Sequence, residues 1–425
     1  MTESQTASPA IVERPCRACG NALDSILDLG RLRLSTFPAL GDPPLPAAPL
    51  DLCACAACRL VQLRHTVDRA HLFAHEYWYR SGVNETMRAE LEDLVRTALP
   101  RIGGLWPGDV AVDVGANDGT LLQAIPPEVI RIAVEPAANL HEALRPHCDL
   151  LDSTFFPADP DLLDRYSGLV KLLTAVAMLY DVDDSHAFFE AVRTLLAPRG
   201  TAVVQFQDLH QMLATRAFDN LVHEHLVYYS LGSLQRIVEA HDLVVVDAEP
   251  RAINGGSLRV TIARRGAGQP SSRVALQLAR EEGCDRWEAL ERFAWWVGEM
   301  RRQIMAVVDA ETAAESTIDL YAASTKANTL LQVLGLGPET IRQAWERSPE
   351  KVGRQTVTGI PIVEEAVGRA DPPEMLLLGA WQFKESFIGR ERGFLEAGGR
   401  MLVPLPAVEI VSGRLRGRRG RRREA

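Results

Sequence analysis

The chain has 425 residues, of which 47% are hydrophobic and 24% charged, and its formal net charge is -10 at pH 7. This length exceeds that of one ordinary core, so two or three domains are predicted. Seven arginines lie between positions 414 and 423; without them and Glu424 the body holds 39 basic and 55 acidic residues. Such a body argues against nucleic-acid binding. Residues 411–425 are predicted to form a disordered arginine-rich tail, with RNA or an anionic lipid as alternative ligands.

The sequence has no apolar run of the length that a bilayer requires, and its first residues, Met-Thr-Glu-Ser-Gln, lack the order of a signal peptide. A cytoplasmic protein without a membrane partner is therefore predicted. Helical and strand-like patterns alternate through the middle of the chain, which favours an α/β architecture.

Five of the seven cysteines lie within the first sixty residues. Two C-x-x-C turns, Cys16/Cys19 and Cys55/Cys58, supply the four thiolates of a closed tetrahedral zinc site. Cys53 is a fifth candidate that could replace Cys55, and free buried cysteines are the alternative to a metal. Residues 1–70 are predicted to form a small lobe held together by structural zinc.

Tyr77, Trp78 and Tyr79 follow this lobe in a row. Large amphipathic rings usually mark packed interfaces, so the three residues predict a contact between the zinc lobe and its neighbour, or the lining of a pocket. An amphipathic helix is predicted at residues 84–98.

An apolar strand at residues 110–114 runs into a glycine turn and then a helix. The turn lacks the G-x-G-x-x-G spacing of dinucleotide-binding folds. Its pattern, D-x-G-x-x-x-G, resembles motif I of class I S-adenosylmethionine methyltransferases. A second strand ends in an acid that would accept hydrogen bonds from a ribose, and a later strand ends in a glutamine. The predicted cofactor residues are Asp113, Gly115, Asn117, Asp118, Gly119, Glu135 and Gln205.

Residues 218–230, Phe-Asp-Asn-Leu-Val-His-Glu-His-Leu-Val-Tyr-Tyr-Ser, concentrate groups that transfer protons. The unperturbed pKa of histidine lies closest to neutral pH, which suits His223 or His225 to removing a proton from a carbon next to a carbonyl. The segment is predicted to lie at the ligand-binding edge of the sheet. As alternatives, the two histidines would bind a metal or be satisfied in the core, but a third ligand is missing nearby.

The rest of the chain predicts a glycine-turn hairpin and a further α/β lobe. Asn254-Gly-Gly-Ser257 would connect the last two strands of the sheet. Trp295 and Trp296 are predicted to be buried between lobes. A strand starting at Ile318 and a helix at residues 383–397 belong to the further lobe, where Lys326 would bind an anion or be solvated.

These motifs together closely resemble the nucleotide-deoxysugar C-methyltransferase family. The resemblance covers residues 14 to 411 and includes the K-x-N-T run that begins at Lys326 and the P-E-K-V-G-R run that begins at Pro349. It implies a class I methyltransferase Rossmann-like sheet (71–265), a zinc-binding lobe (1–70) and a smaller α/β lobe (266–410). The implied reaction is methylation of a nucleoside-diphosphate 4-keto-6-deoxysugar at a carbon next to the ketone, with C3 preferred over C5.

The resemblance also implies roles for individual residues. His225 would be the base, Glu224 would orient it, His223 would bind the keto oxygen, and Tyr77 or Tyr79 would reach the sugar. The chain departs from the family at Val222, which offers no hydroxyl. The residues expected to bind the substrate are Asn220, Tyr228, Tyr229, Asn254 and Lys326.

The sequence is also compatible with two other functions. A methyltransferase of the same fold would act on oxygen, nitrogen or a non-sugar carbon acid. A zinc-dependent binding protein would use the histidines structurally or as ligands. The expected cofactors are S-adenosylmethionine and structural zinc, and the expected partner is a nucleotide sugar bound by a monomer or homodimer.

Overall fold

The structure is a computed structural model that describes residues 10–43, 45–74, 77–157 and 159–413, so the arginine-rich tail beyond 413 lies outside the described residues. The chain divides into two compact units. The first comprises residues up to 34, 46–215 and 223–294, and the second comprises 35–45, 216–222 and the chain from 295 onward. The three-lobe boundaries drawn from the sequence stay a prediction. Within the described residues, no helix combines the length and apolarity needed to cross a bilayer.

The first unit begins with five short strands around the cysteine turns. Strands β2, β3 and β4 form an antiparallel sheet that is extended at β4 by β11 (Val227–Tyr228), and β1 pairs with β5. Cys16 and Cys19 lie between β1 and β2, and Cys55 and Cys58 lie between β3 and β4. The strand bounds are β1 (Ile11–Glu13), β2 (Asp24–Arg33), β3 (Ala47–Ala54), β4 (Val61–Leu63) and β5 (His65–Val67).

A seven-stranded sheet forms the centre of this unit, in the order β8-β7-β6-β9-β10-β13-β12. Strand β13 is antiparallel to both of its neighbours, and the remaining pairs are parallel. The chain leaves β6 towards one edge and returns at β9, so the carboxyl ends of β6 and β9 form the switch point where such sheets bind ligands. The predicted sheet with a final hairpin is confirmed. The strands are β6 (Val110–Val114), β7 (Ile130–Val134), β8 (Leu150–Asp152), β9 (Val170–Val176), β10 (Leu196–Gln207), β11 (Val227–Tyr228), β12 (Leu243–Arg251) and β13 (Ser257–Arg264).

Helices cover both faces of the sheet because its strands are apolar on both sides. On one face Leu91 and Leu94 of helix α1 belong to a buried cluster with Val203. On the other face Phe188 and Leu234 of two further helices belong to a larger cluster. The helices are α1 (Glu85–Ala98), α2 (His141–Leu144), α3 (Pro160–Tyr166), α4 (Ser185–Leu195), α5 (Leu209–Ala214), α6 (Leu231–Glu239) and α7 (Ser272–Arg280).

The second unit is the smaller α/β lobe expected from the sequence. Its six strands follow the order β16-β15-β14-β17-β18-β19 and are parallel except for β19. The single helix predicted at 383–397 is two short helices, α11 and α12. The strands are β14 (Ile318–Tyr321), β15 (Ala344–Glu346), β16 (Ile362–Glu364), β17 (Met375–Leu378), β18 (Arg400–Val403) and β19 (Glu409–Ser412); the helices are α8 (Trp287–Ala313), α9 (Thr325–Leu334), α10 (Glu365–Ala370), α11 (Lys384–Arg390) and α12 (Arg392–Glu396).

The tryptophan pair on helix α8 is not buried as predicted. The Trp295 side chain is 58% exposed, whereas Trp296 is partly covered by the guanidinium of Arg216 at 3.5 Å from its ring centre. The prediction failed because the amphipathic pattern marked one face of the helix, and Trp295 lies outside that face.

Candidate active site

The glycine turn after β6 has a backbone that side chains would obstruct. Gly115 and Gly119 have φ values of +72° and +81°. A Cβ atom added at Gly115 would lie 3.0 Å from Met178, and one at Gly119 would lie 3.0 Å from His147. The turn therefore requires glycine both for its conformation and for its close packing against Met178 and His147.

Glu135 ends strand β7 beside this turn. Its two carboxylate oxygens accept backbone hydrogen bonds from Asn117 at 2.9 Å and from Ala137 at 2.8 Å. A carboxylate has about four acceptor positions, so acceptors remain for the two hydroxyls of a ribose. Glu135 and the glycine turn thus fit the nucleoside part of S-adenosylmethionine.

The side chains of Asn117 and Asp118, which were predicted to bind the cofactor, instead contact residues 77–82 of the chain, which we call the aromatic segment. The Asn117 amide accepts from the Ser81 N–H and donates to the Tyr79 carbonyl, both at 3.0 Å. Asp118 accepts from the Gly82 N–H at 2.8 Å. Their side chains are therefore occupied in holding the aromatic segment against the cofactor turn, and we correct their predicted role accordingly.

Asn139 completes this attachment at the other end of the aromatic segment. Its side chain accepts from the Tyr77 N–H and donates to the Tyr77 carbonyl, each at 3.1 Å. Five hydrogen bonds from Asn117, Asp118 and Asn139 thus connect the segment to the loops that follow β6 and β7. Tyr77 is half-buried, and Tyr79 is 39% exposed.

The segment at 223–230 places its two histidines in different environments. His223 is buried, and its Nε2–H donates to the Ala48 carbonyl at 3.1 Å. Burial lowers the pKa of His223 to about 4, so the ring is neutral and structural. His223 is therefore removed from the predicted catalytic residues. His225 is half-buried, and its ring centre lies 4.3 Å from that of Tyr180.

Tyr180 and Asp181 bring the end of strand β9 next to His225. They form a short 3-10 turn, Leu179–Asp181, and the Tyr180 carbonyl accepts from the Leu226 N–H at 2.7 Å. This backbone bond and the ring contact fix His225 at the carboxyl edge of the sheet. His225 thus lies next to the end of β9, and its place in a ligand site stays a prediction.

The carboxyl groups of Glu224, Asp181 and Glu135 and the phenols of Tyr77 and Tyr180 share this region. Burial raises the pKa of Glu224 to about 7. Burial, and then the negative charge of Glu224, raises the pKa of Asp181 well above its usual range. Burial, followed by the charges of Asp181, Glu224 and Glu135, raises the pKa of Tyr77 in the same way. Perturbed carboxyl groups in a cleft are typical of proton-transfer sites.

Two further predicted cofactor residues are engaged in the sheet. Asp113 accepts from the Thr174 hydroxyl at 2.6 Å, which connects β6 to β9, and burial raises its pKa to about 7. Gln205 accepts from Arg259 at 2.9 Å on the face covered by helix α1. We remove Gln205 from the candidate cofactor site, while the role of Asp113 stays a prediction.

The predicted substrate residues are dispersed. Tyr229 is fully buried, and its hydroxyl lies 2.6 Å from that of Ser185, so it packs the core. Tyr228 is buried within strand β11. Asn254 occupies the hairpin turn with a φ of 55°.

Asn220 and Lys326 belong to the second unit. Asn220 is buried in the 3-10 turn Phe218–Asn220, and Lys326 lies in the first turn of helix α9. Burial lowers the pKa of Lys326, and the neighbouring charge of Asp219 opposes this change. The binding roles of these residues stay predictions.

The four cysteines of the two turns meet as predicted. The sulfur atoms of Cys16, Cys19, Cys55 and Cys58 all lie within 4.8 Å of one another. This donor set and spacing fit tetrahedral zinc. Cys53 is buried elsewhere, with its sulfur 3.3 Å from an Asp51 carboxylate oxygen, so the alternative exchange with Cys55 is wrong.

Sequence reasoning missed Asp181, Tyr180 and Asn139. A signal existed for the first two, because they follow the fourth strand of the sheet within five residues and therefore had to lie at its carboxyl edge. Asn139 had no comparable signal, since its contact with Tyr77 spans 62 positions.

Family models match three successive stretches of the chain. They describe a zinc binding domain at residues 16–73, a methyltransferase domain at 83–248 and a C-methyltransferase C-terminal domain at 252–406. The middle match agrees with the observed sheet order, so this sheet is that of a class I methyltransferase.

A relative and two solved structures are similar to the chain. The C-methyltransferase NovU of Streptomyces niveus is 31% identical over 411 residues, covering 93% of this chain and 96% of the relative. The CurJ carbon methyltransferase has 16% identity over 43% of this chain and 57% of its own, with a TM-score of 0.36. The geranyl diphosphate C-methyltransferase of Streptomyces coelicolor A3(2) has 11% identity over 43% and 85%, with a TM-score of 0.34.

The match to NovU extends over nearly the whole of both chains, and it sets aside the interpretation as a zinc-dependent binding protein. The family models and the cysteine cluster agree on S-adenosylmethionine and structural zinc as cofactors. The chain belongs to the family of S-adenosylmethionine-dependent C-methyltransferases with an N-terminal zinc-binding domain.

Proposed function

We propose that the chain methylates a nucleoside-diphosphate 4-keto-6-deoxysugar at a ring carbon next to the ketone, with C3 preferred and C5 as the second candidate. The observation that carries the proposal is the position of His225 and Glu224 beside Tyr180 at the carboxyl edge of the sheet. The motif around His225 supports a keto-deoxysugar as acceptor, because the chain resembles the nucleotide-deoxysugar C-methyltransferases in that motif.

The chemistry requires a base, because a carbon next to a ketone becomes nucleophilic only as its proton leaves. In the proposal His225 accepts that proton, and the electron pair of the C–H bond moves onto the ketone oxygen to form an enolate. The ring contact with Tyr180 restricts the orientation of the imidazole. Glu224, the preceding residue, would stabilise the imidazolium through its negative charge.

S-Adenosylmethionine supplies an electrophilic methyl group on a positively charged sulfur. The glycine turn at the switch point would hold its nucleoside part, together with Glu135, whose carboxylate has acceptor positions left for the ribose.

The aromatic segment would position the sugar. Tyr77 and Tyr79 are carried by a segment that Asn117, Asp118 and Asn139 attach to the cofactor loops. Raised pKa values keep both phenols protonated at neutral pH, so each can donate a hydrogen bond to a sugar oxygen.

Product mass tests the proposal. The protein and methyl donor would be incubated with a panel of nucleoside-diphosphate 4-keto-6-deoxysugars, the matching 4-hydroxy sugars and non-sugar ketones. A mass gain of one methyl group with a 4-keto sugar, and none with the 4-hydroxy sugars, is expected. Methylation confined to the non-sugar ketones would favour the second candidate function, a C-methyltransferase of other carbon acids.

The role of His225 is tested by replacing it with asparagine. His225→Asn should abolish methylation and also the exchange of the ring-carbon proton for deuterium in heavy water, while calorimetry shows unchanged donor binding. His241→Asn is the matched control, since His241 contacts His186 near the zinc turns, with the two ring nitrogens 2.9 Å apart. Turnover by His225→Asn at the wild-type rate would refute the assignment.

A further inference from the structure

Asp181 follows the carboxyl end of strand β9, at the switch point of the sheet. It ends the 3-10 turn that follows β9, and its N–H donates to the Met178 carbonyl at 3.0 Å. The preceding residue contacts the His225 ring and accepts the Leu226 N–H. Asp181 is therefore held by the same backbone connection that holds the proposed base.

One carboxyl oxygen of Asp181 has no hydrogen-bond partner. Its Oδ1 atom is buried, and among the described residues nothing donates to it. Asp183, two residues further along, differs in this respect, because its carboxylate accepts from Arg14 at 2.6 Å, Arg17 at 3.1 Å and Thr66 at 2.6 Å. A buried polar atom without a partner requires an explanation, and a ligand group is one.

The surroundings of Asp181 favour its neutral form. The groups that face it are Glu224 on the 223–230 segment, Tyr77 on the aromatic segment, and Tyr180 on its own turn. Within the described part of the chain, Asp181 forms no salt bridge with an arginine, lysine or histidine. Burial without a cation raises the pKa of a carboxyl group and keeps its proton in place.

We propose that Asp181, as a neutral carboxylic acid, donates a hydrogen bond to the enolate oxygen that forms when His225 removes the ring-carbon proton. The inference rests on the proposed function. Asp181 keeps its proton throughout: the C–H proton moves to His225, the electron pair moves to the ketone oxygen, and the hydrogen bond from Asp181 shortens as negative charge develops there. Asp181 would then be a catalytic residue that no motif assigned.

Neutral donors suit this task. A protonated carboxyl group stabilises developing negative charge without adding a charge of its own, as in the oxyanion hole that pairs a protonated Asp with a Tyr in ketosteroid isomerase. Removing one such donor typically slows the reaction about 10²–10³-fold. The same effect is expected for enolate formation here.

The test measures proton exchange rather than methyl transfer. Wild-type protein, Asp181→Asn and Asp181→Leu would be mixed with the 4-keto sugar and S-adenosylhomocysteine in heavy water, and deuterium uptake followed by mass spectrometry. Asparagine keeps a neutral donor, so its rate should stay within about tenfold of wild type, whereas leucine should slow exchange about 10²–10³-fold. Asp183→Asn is the matched control and should exchange at the wild-type rate.

The pH dependence supplies a second readout. The wild-type exchange rate should fall at alkaline pH as Asp181 loses its proton, and Asp181→Asn should lack this fall. Exchange by Asp181→Leu at the wild-type rate, or equal losses in the asparagine and leucine variants with donor binding and melting temperature intact, would overturn the inference. Absence of exchange and of methylation in the wild-type protein would instead overturn the proposed function.

Discussion

The attachment of the aromatic segment yields a prediction for Asn139→Ala. This variant removes both hydrogen bonds to the Tyr77 backbone and leaves the three bonds from Asn117 and Asp118 in place. Each neutral hydrogen bond contributes about 0.5–1.5 kcal/mol, so the segment should lose about 1–3 kcal/mol of its attachment. At about 1.4 kcal/mol per factor of ten, the population of the attached state relative to the detached state falls about 5- to 150-fold.

Hydrogen exchange of the Tyr77 amide, followed by mass spectrometry of peptides covering residues 77–82, checks this directly. Exchange should be faster in Asn139→Ala, and kcat/KM for the sugar should fall because Tyr77 is less often in place. Asn84→Ala is the matched control: it removes the cap of helix α1, where Asn84 accepts from the Thr86 N–H at 3.0 Å, and should cost stability without lowering kcat/KM. An exchange rate at Tyr77 in Asn139→Ala equal to that of wild type would show that Asn139 does not hold the aromatic segment.

Three further predictions concern the metal, the carboxyl groups and the core. Cys55→Ser should lose zinc by elemental analysis, whereas Cys53→Ser should retain one zinc per chain, and metal loss in the latter would contradict the assignment. The pKa of Glu224 is raised from 4.5 to about 7, so the stabilising contribution of its protonated form is complete below pH 4.5 and is lost as the pH rises through 7. The melting temperature of Glu224→Gln should therefore exceed that of wild type by more at pH 8 than at pH 4.5, and an equal difference at both pH values would contradict this prediction. Tyr229→Phe leaves the Ser185 hydroxyl buried without its partner and should lower the free energy of unfolding by about 1–3 kcal/mol in urea, with methylation retained, whereas unchanged stability would contradict the packing role.

Much of the fold could be predicted because local patterns determine it. Apolar strands, glycine turns and helical periods are properties of short stretches, and the order in which they occur selects the doubly wound sheet. Cysteine spacing predicted the metal site for the same reason, since a two-residue turn brings two sulfurs to one ion. The spacing favoured Cys55 over Cys53, and the structure agrees, because Cys55 joins the sulfur cluster whereas Cys53 contacts Asp51.

The candidate site was harder to predict because side-chain direction depends on distant partners. His223 and His225 look equivalent in the sequence, yet His223 is occupied by the Ala48 carbonyl, a contact across 175 positions. Asn117 lies in a cofactor motif, but its amide binds the aromatic segment. Such partners are set by tertiary packing, which periodicity does not report.

The position of the transferred methyl group is the most direct test of the proposed reaction. The protein would be incubated with a nucleoside-diphosphate 4-keto-6-deoxysugar and S-adenosylmethionine whose methyl carbon is isotopically labelled, and the product examined by carbon NMR. The expected product has a new carbon–carbon bond, with the labelled methyl group on the ring carbon next to the ketone, and His225→Asn should transfer no label. A label on oxygen or nitrogen, or at a carbon not adjacent to the ketone, would contradict the proposed reaction.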